Sequence, residues 1–317
     1  MNGDNGTGSF AFIRFSFLPT TKNQIMRTEI SILSGAKWRR RLFSGIALLM
    51  VLSWHLAWAA NESATDAGSP LGSTQMSEAA LMGVLYDLKQ TAEHKPGVRD
   101  TNDYDRTIAK FIMNDWDESV LNKYYRISEP FYTTQVFVPM IGDRLAPKAF
   151  GVENRIKDGF WVIHYKGQVI PPSDGRYRFA GYAHATMLVA INGRLVLNGC
   201  RFDINAVQPD FPLRSVQKNS DAQAGAPAAD HCLTFGPWVE LKHSKPIDID
   251  ILFGNRKAAE LCAFLLVQKE GETYPKDPVT HFPVLPLFQV APYYGPLPQD
   301  KWSTRCQANV MIWKSLQ

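Results

Sequence analysis

The sequence contains no GxSxG nucleophile elbow, no HExxH zinc helix and no GxxxxGKS phosphate loop, so it nominates none of the hydrolase, metalloprotease or nucleotide-binding chemistries that those spacings serve. Cysteine is scarce: Cys200, Cys232, Cys262 and Cys306 are the four in 317 residues, and none forms a CxxC pair. Redox or metal chemistry at cysteine is therefore disfavoured. A basic face is missing too. Residues 1–59 hold seven Lys/Arg and two Asp/Glu, so the remainder carries a formal −1 where the whole chain carries +4. That balance excludes the electrostatic footprint of a nucleic-acid binder and leaves no charge run for a membrane surface.

What is present begins with an address. Lys37-Trp38-Arg39-Arg40-Arg41 precedes an apolar run from Leu42 to Trp58, and small residues flank Trp58 at Ala57 and Ala59. This is the pattern of an export signal cleaved near Ala59/Ala60, with Met26 a more ordinary start than Met1. An uncleaved signal would be the one membrane attachment, since no cysteine follows the run at lipobox spacing. The expected location is outside the cytoplasm: periplasm, cell surface or medium. In that setting four exported cysteines read as structural disulfides, Cys200–Cys232 being the favoured pair because it would close the base of a polar insertion; four buried thiols are the alternative.

Residues 60–78 are rich in Ser, Gly, Ala and Thr and read as a flexible linker. ALMGVLYDLKQT, from Ala79, alternates as a strand does. Between Tyr104 and Tyr125, apolar residues recur at three- and four-residue steps, which predicts a helix, with Asp103 placed to cap it. The acidic residues Asp115, Asp117 and Glu118 lack the spacing of a calcium loop and read as a solvated helix face. Beyond this the chain alternates in short runs: Thr133–Pro139, Gly159–Tyr165, Gly175–Ala180, Met187–Ile191, Arg194–Leu197, Ile247–Phe253 and Ala263–Gln268. Gly, Pro, Asn and Asp separate them, which is the rhythm of an antiparallel sandwich. Asn192-Gly193 is the strongest hairpin signal, because both central residues of a type I′ turn need positive φ. Residues 200–232 read as a polar loop insertion, and 272–317 as a proline-rich arm packing on the sandwich.

The order of these features, from LMGVLYDL through WVIHYKGQVIPPSDGRYRFAGYAHATMLVAINGRLVLNG to IDIDILFGNRKAAELCAFLLVQKEG, resembles the protective-antigen-like (PA-fourteen) β-sandwich of bacterial toxins, yeast adhesins and secreted glycosidases. The resemblance spans residues 79–271, with 104–125 and 200–232 as insertions. It implies a mainly β, lectin-like antiparallel sandwich. In carbohydrate-binding members an adjacent aspartate pair holds calcium; the matching positions here are His184 and Ala185, and the hairpin position often occupied by aspartate is Asn192. Calcium prefers hard oxygen ligands, so no cofactor is expected.

Tyr182, His184, Thr186, Asn192 and Arg194 form the candidate ligand patch, with Tyr182 stacking on a sugar and the others hydrogen-bonding. The competing reading leaves Tyr182 at the sandwich edge, His184 in a loop and Asn192 serving the turn. Trp161 and Trp238 read as core aromatics. Asp248 and Asp250 have the alternation of a paired-carboxylate hydrolase site, but also that of any half-buried strand. His164, His184, His231 and His243 are scattered, which leaves zinc binding by two or three of them open. The expectation is a noncatalytic binding or scaffold module whose partner is a glycan or a surface protein. A self-associating envelope protein, hence a homo-oligomer, and a secreted hydrolase accessory domain are the alternatives.

Overall fold

The computed structural model describes residues 69–149, 151–213, 233–295, 297 and 304–316; the expected signal at 1–59 and the stretch 214–232, with Cys232 and His231, lie outside them. Among the described residues no helix is long and apolar enough to cross a membrane. The strands are β1 (Leu81–Thr91), β2 (Tyr124–Arg126), β3 (Phe131–Thr133), β4 (Phe137–Gly142), β5 (Trp161–Ile170), β6 (Gly175–Ala183), β7 (Thr186–Ile191), β8 (Arg194–Asn198), β9 (Thr234–Phe235), β10 (Val239–Leu241), β11 (Ile247–Asn255), β12 (Glu260–Lys269) and β13 (Lys314–Leu316). They build two sheets. The larger runs β2-β1-β5-β11-β7-β8, with β3 also on β1 and β13 also on β5; the smaller runs β10-β6-β12-β4, with β9 also on β6. Every one of these strand pairs is antiparallel, so the chain is the mainly β antiparallel sandwich that its alternation predicts.

Period-two alternation assigns each strand to two layers. Trp161, Ile163 and Tyr165 of β5 and Ile249, Ile251 and Phe253 of β11 face Tyr177 and Phe179 of β6 and Leu265 and Val267 of β12 in the main core between the sheets. Each such buried side chain contributes about 1.5–3 kcal/mol. The opposite face of the larger sheet, with Val84, Tyr86, Val162, Leu188 and Leu252, is covered by Tyr104, Ile108, Phe111 and Ile112 of α1 (Thr101–Met113). Cys200, Ile204 and Phe211 join this second cluster, so the beginning of the 200–232 insertion is packed. A five-residue helix, α2 (Leu145–Ala149), follows β4. The outer face of the smaller sheet, with Ala180, Tyr182, Phe264 and Leu266, is covered by Leu285, Leu287 and Cys306. The C-terminal segment also reaches the interior: Phe288 and Trp313 lie in the main core, and the Phe288 amide donates to the Leu265 carbonyl at 2.9 Å.

Several local expectations are corrected. The N-cap of α1 is Asp100, which accepts from the Asp103 amide at 2.8 Å; Asp103 instead sits in the first turn, where a carboxylate favours the positive helix end. The helix stops at Met113, well short of Tyr125, because Asp115 and Trp116 take φ values of +54° and +61°. This left-handed turn swings Trp116 into the cluster beneath α1. Cys200 is a buried free thiol among the described residues, and its expected partner, Cys232, lies outside them; beside the Met187 carbonyl, Cys200 has its pKa pushed up to about 12 by desolvation. Cys262 and Cys306 are both buried in the outer cluster of the smaller sheet. Trp161 is a core residue with 0% exposure, but Trp238 is half-buried at the surface, with the guanidinium of Arg178 4.7 Å from its ring. Residues 69–78 do not all behave as linker: Leu71 is buried, its carbonyl accepts from the Tyr165 hydroxyl at 2.7 Å, and Ser73 pairs with Tyr132 of β3.

Candidate ligand-binding groove

The five residues of the sequence-derived patch are distributed over different faces and ends of the sandwich. Tyr182 is buried in the outer cluster of the smaller sheet. His184 lies in the two-residue connection between β6 and β7, where its Nδ1 is 2.7 Å from the Glu260 carbonyl oxygen and its amide donates to the Cys262 carbonyl. The neighbouring Ala185 is buried. Thr186 has no exposed surface and shares a 2.8 Å hydrogen bond with the Tyr104 hydroxyl of α1. Asn192 and Arg194 are at the opposite end of β7, about 20 Å away at the usual strand rise. Asn192 and Gly193 have φ of +49° and +76°, as a type I′ turn requires. The Asn192 side chain accepts from the Asp248 amide at 2.9 Å, tying the turn to β11.

A different set of residues converges. Between the 69–80 segment, β3, β4 and the 293–295 segment lies a groove of about 610 Å3, lined by Tyr132, Phe137, Tyr293 and Tyr294 together with Ser73, Thr133, Thr134, Gln75 and Gln135. The lining contains aromatic rings, hydroxyls and amides, with no ionisable carboxylate or amine. Its floor is fixed by β3 pairing with β1 and by the Val290 amide donating to the Thr134 carbonyl at 2.8 Å. Thr134 donates to Gln135 Oε1, which orients that amide and leaves its Nε2 hydrogens uncommitted among the described residues.

One wall of the groove is held by a polar clamp. Asn309 accepts from the Tyr293 amide at 2.7 Å and donates to the Tyr293 carbonyl at 2.8 Å, while its own amide donates to Gln289 Oε1 at 2.7 Å. Gln289 is fully buried. The ring of Tyr293 packs edge-on against Phe137, centroids 6.1 Å apart. Next to this anchored residue, Tyr294 is 90% exposed. An aromatic ring projecting from a pinned backbone loses little freedom when something stacks on it, unlike one on a mobile loop.

Tyr132 and Ala80 also line a second hollow of about 680 Å3 on the half of the larger sheet that α1 leaves open. Besides Asp115 from the turn after α1, its charged and amide residues come from paired positions of β5 and β11: Lys166 and Gln168 opposite Asp250 and Asp248. Asp248 accepts from Gln168 Nε2 at 2.8 Å. Asp250 Oδ1 lies 2.8 Å from Nε2 of His164, a buried imidazole whose Nδ1 is 3.6 Å from Glu118. Glu118 in turn accepts from Lys166. Burial alone pushes the His164 pKa down, but the Asp250 and Glu118 carboxylates outweigh it and the pKa is raised. The imidazolium and Lys166 hold Glu118 down to about 2. Asp248 and Asp250 are thus each engaged by a neighbour on β5, and Glu118 belongs to this bridge rather than to a solvated helix face. Among the described residues no group of three His, Cys, Asp or Glu has metal-holding geometry.

The sequence reasoning missed the aromatic groove. Its lining comes from four segments separated by as much as two hundred residues or more, and a signal was available only in the YYG of the arm and the Thr-Thr-Gln run at Thr133–Gln135.

No family model matches the chain, and no curated protein matches it. Among solved structures it is similar to a PA14 sugar-binding domain from an RTX adhesin, with 11% identity, a TM-score of 0.38, and 67% of this chain and 95% of that one covered. It is similar also to the PA14 domain of the MpAFP antifreeze protein, at 13% identity and TM-score 0.35 over 63% of this chain and 88% of that one. The epithelial adhesin 6 A domain from Candida glabrata, in complex with Galb1-3GlcNAc, is similar at 14% identity and TM-score 0.34, with 70% and 94% covered. PA14 is the family that the order of strands and turns resembles.

Proposed function

We propose that the chain is a noncatalytic, exported binding module that holds a neutral saccharide in the groove beneath Tyr294. The observation that carries this reading is the 90%-exposed Tyr294 ring standing beside the clamped Tyr293, over a lining of hydroxyls and amides without charge. The apolar C–H face of a sugar stacks on an aromatic ring, and its hydroxyls exchange hydrogen bonds with Ser, Thr and Gln side chains. The volume suits a mono- or disaccharide unit, since small-molecule sites run from about 300 to 1,000 Å3. Export is supported by the basic-then-apolar pattern of residues 37–60, and calcium is not needed by such a groove.

A glycan array probed with the chain in chelator tests the reading, followed by calorimetry with the best neutral oligosaccharide. Tyr294→Ala is expected to weaken binding about tenfold, the effect of losing one stacked ring worth roughly 1.5 kcal/mol, and to leave the melting temperature unchanged. Absence of any neutral glycan ligand, or undiminished affinity in Y294A, would refute it.

A further inference from the structure

We propose that the cleft between α1 and the β1–β2 edge binds an oxyanion carried on a saccharide, a carboxylate or a sulfate ester; this site is separate from the neutral groove and goes beyond the function proposed for it. The cleft measures about 420 Å3 and brings together Arg106 and Lys110 of α1 with Lys123, the residue before β2. Arg106 and Lys110 are four residues apart on one helix face, so their charges are neighbours. Lys123 approaches from across the cleft, its ammonium 4.9 Å from the centroid of the Tyr124 ring.

Asp103 is the one carboxylate lining the cleft, and it is already shared by two guanidinium groups: Arg106 Nη2 at 2.7 Å and Arg99 Nε at 3.1 Å. Among the described residues no carboxylate lies within ion-pair distance of Lys110 or Lys123. Three cations therefore converge on a cleft whose single anion is spent, in a chain that is net acidic beyond residue 59. Such a focus of one sign attracts the opposite one, and an oxyanion would accept charge-assisted hydrogen bonds from both lysines and from the guanidinium hydrogens that Asp103 leaves. The floor is rigid. Thr107 donates to the Asp103 carbonyl at 2.8 Å and meets the Tyr124 hydroxyl at 3.1 Å, both side chains being buried.

The test is calorimetry of the full chain against three probes: a uronic-acid oligosaccharide, a sulfated galactan oligosaccharide and inorganic sulfate. Lys110→Gln/Lys123→Gln is compared with wild type and with Lys148→Gln as a control for general charge. Binding of either oligosaccharide, weakening as salt rises and falling about tenfold in K110Q/K123Q but not in K148Q, supports the site, and the better of the two names the group. No oligosaccharide binding, binding of inorganic sulfate alone, or equal affinity in the double variant overturns it. A neutral saccharide lost in Y294A but unaffected by K110Q/K123Q keeps the two sites distinct, whichever result the acidic probes give.

Discussion

Trp313 offers the sharpest test of how the C-terminal segment contributes to this fold. Its indole is fully buried between the sheets, with ring centroids 5.4 Å from Tyr177, 5.5 Å from Phe288 and 6.0 Å from Phe179. Replacing it with alanine removes those contacts and leaves a cavity that the three ring neighbours cannot fill, a loss of about 3–5 kcal/mol. Against a typical total of about 5–15 kcal/mol that is a large share. Among the described residues the buried indole N–H has no hydrogen-bond partner, and an unmet buried donor costs about 1–3 kcal/mol. Trp313→Phe keeps most of the ring and removes that donor, so its net cost is expected to be under about 2 kcal/mol. Urea unfolding of both variants, with the m-value as a check on two-state behaviour, measures the difference. A loss below about 1 kcal/mol in W313A would show that the arm is not part of the core. Equal losses in W313A and W313F would refute the argument about the unpartnered N–H.

The bridge from Glu118, in the turn after α1, through His164 of β5 to Asp250 of β11 makes stability depend on pH in two directions. His164 has a raised pKa, so its contribution is complete below the unfolded value of about 6.5 and is lost as pH rises through the higher folded value; Glu118, held at about 2, loses its contribution as pH falls from about 4.5 toward that value. Urea midpoints from pH 4 to 9 should therefore fall on the alkaline side, and His164→Gln should flatten that arm; an unchanged slope in H164Q would assign it elsewhere. Asp105 accepts two hydrogen bonds from Arg256, at 2.6 and 2.8 Å, and is 3% exposed, whereas Arg256 keeps 27% exposure and packs over Phe202. Asp105→Asn should cost about 3 kcal/mol by urea unfolding, the lower end for a broken buried pair because the arginine can reach water; a loss under about 1 kcal/mol would mean the pair is neutral in the fold.

Local chemistry was legible wherever one segment carried its own instruction. Asn192-Gly193 specified a type I′ turn because few other pairs tolerate two left-handed residues in succession, and the alternation of IDIDILF placed Ile247, Ile249, Ile251 and Phe253 in the interior. The stripe Ile108, Phe111 and Ile112 announced a helix, although its end was not readable: the left-handed turn at Asp115 and Trp116 is held by packing of the Trp116 ring against Phe111 and His164, not by local preference. His164 looked like one scattered histidine because its carboxylate partners are on elements distant in sequence. The same holds for the groove. Tyr132, Gln135 and Tyr294 share no periodicity, and their convergence depends on which strand edge the C-terminal arm follows and how the 69–80 segment crosses β3. Alternation records whether a face is apolar, so the sequence by itself determined the strands, the hairpin and the sandwich they build; only the tertiary structure decided which faces meet, and hence where a ring, an amide and a pinned backbone form one surface.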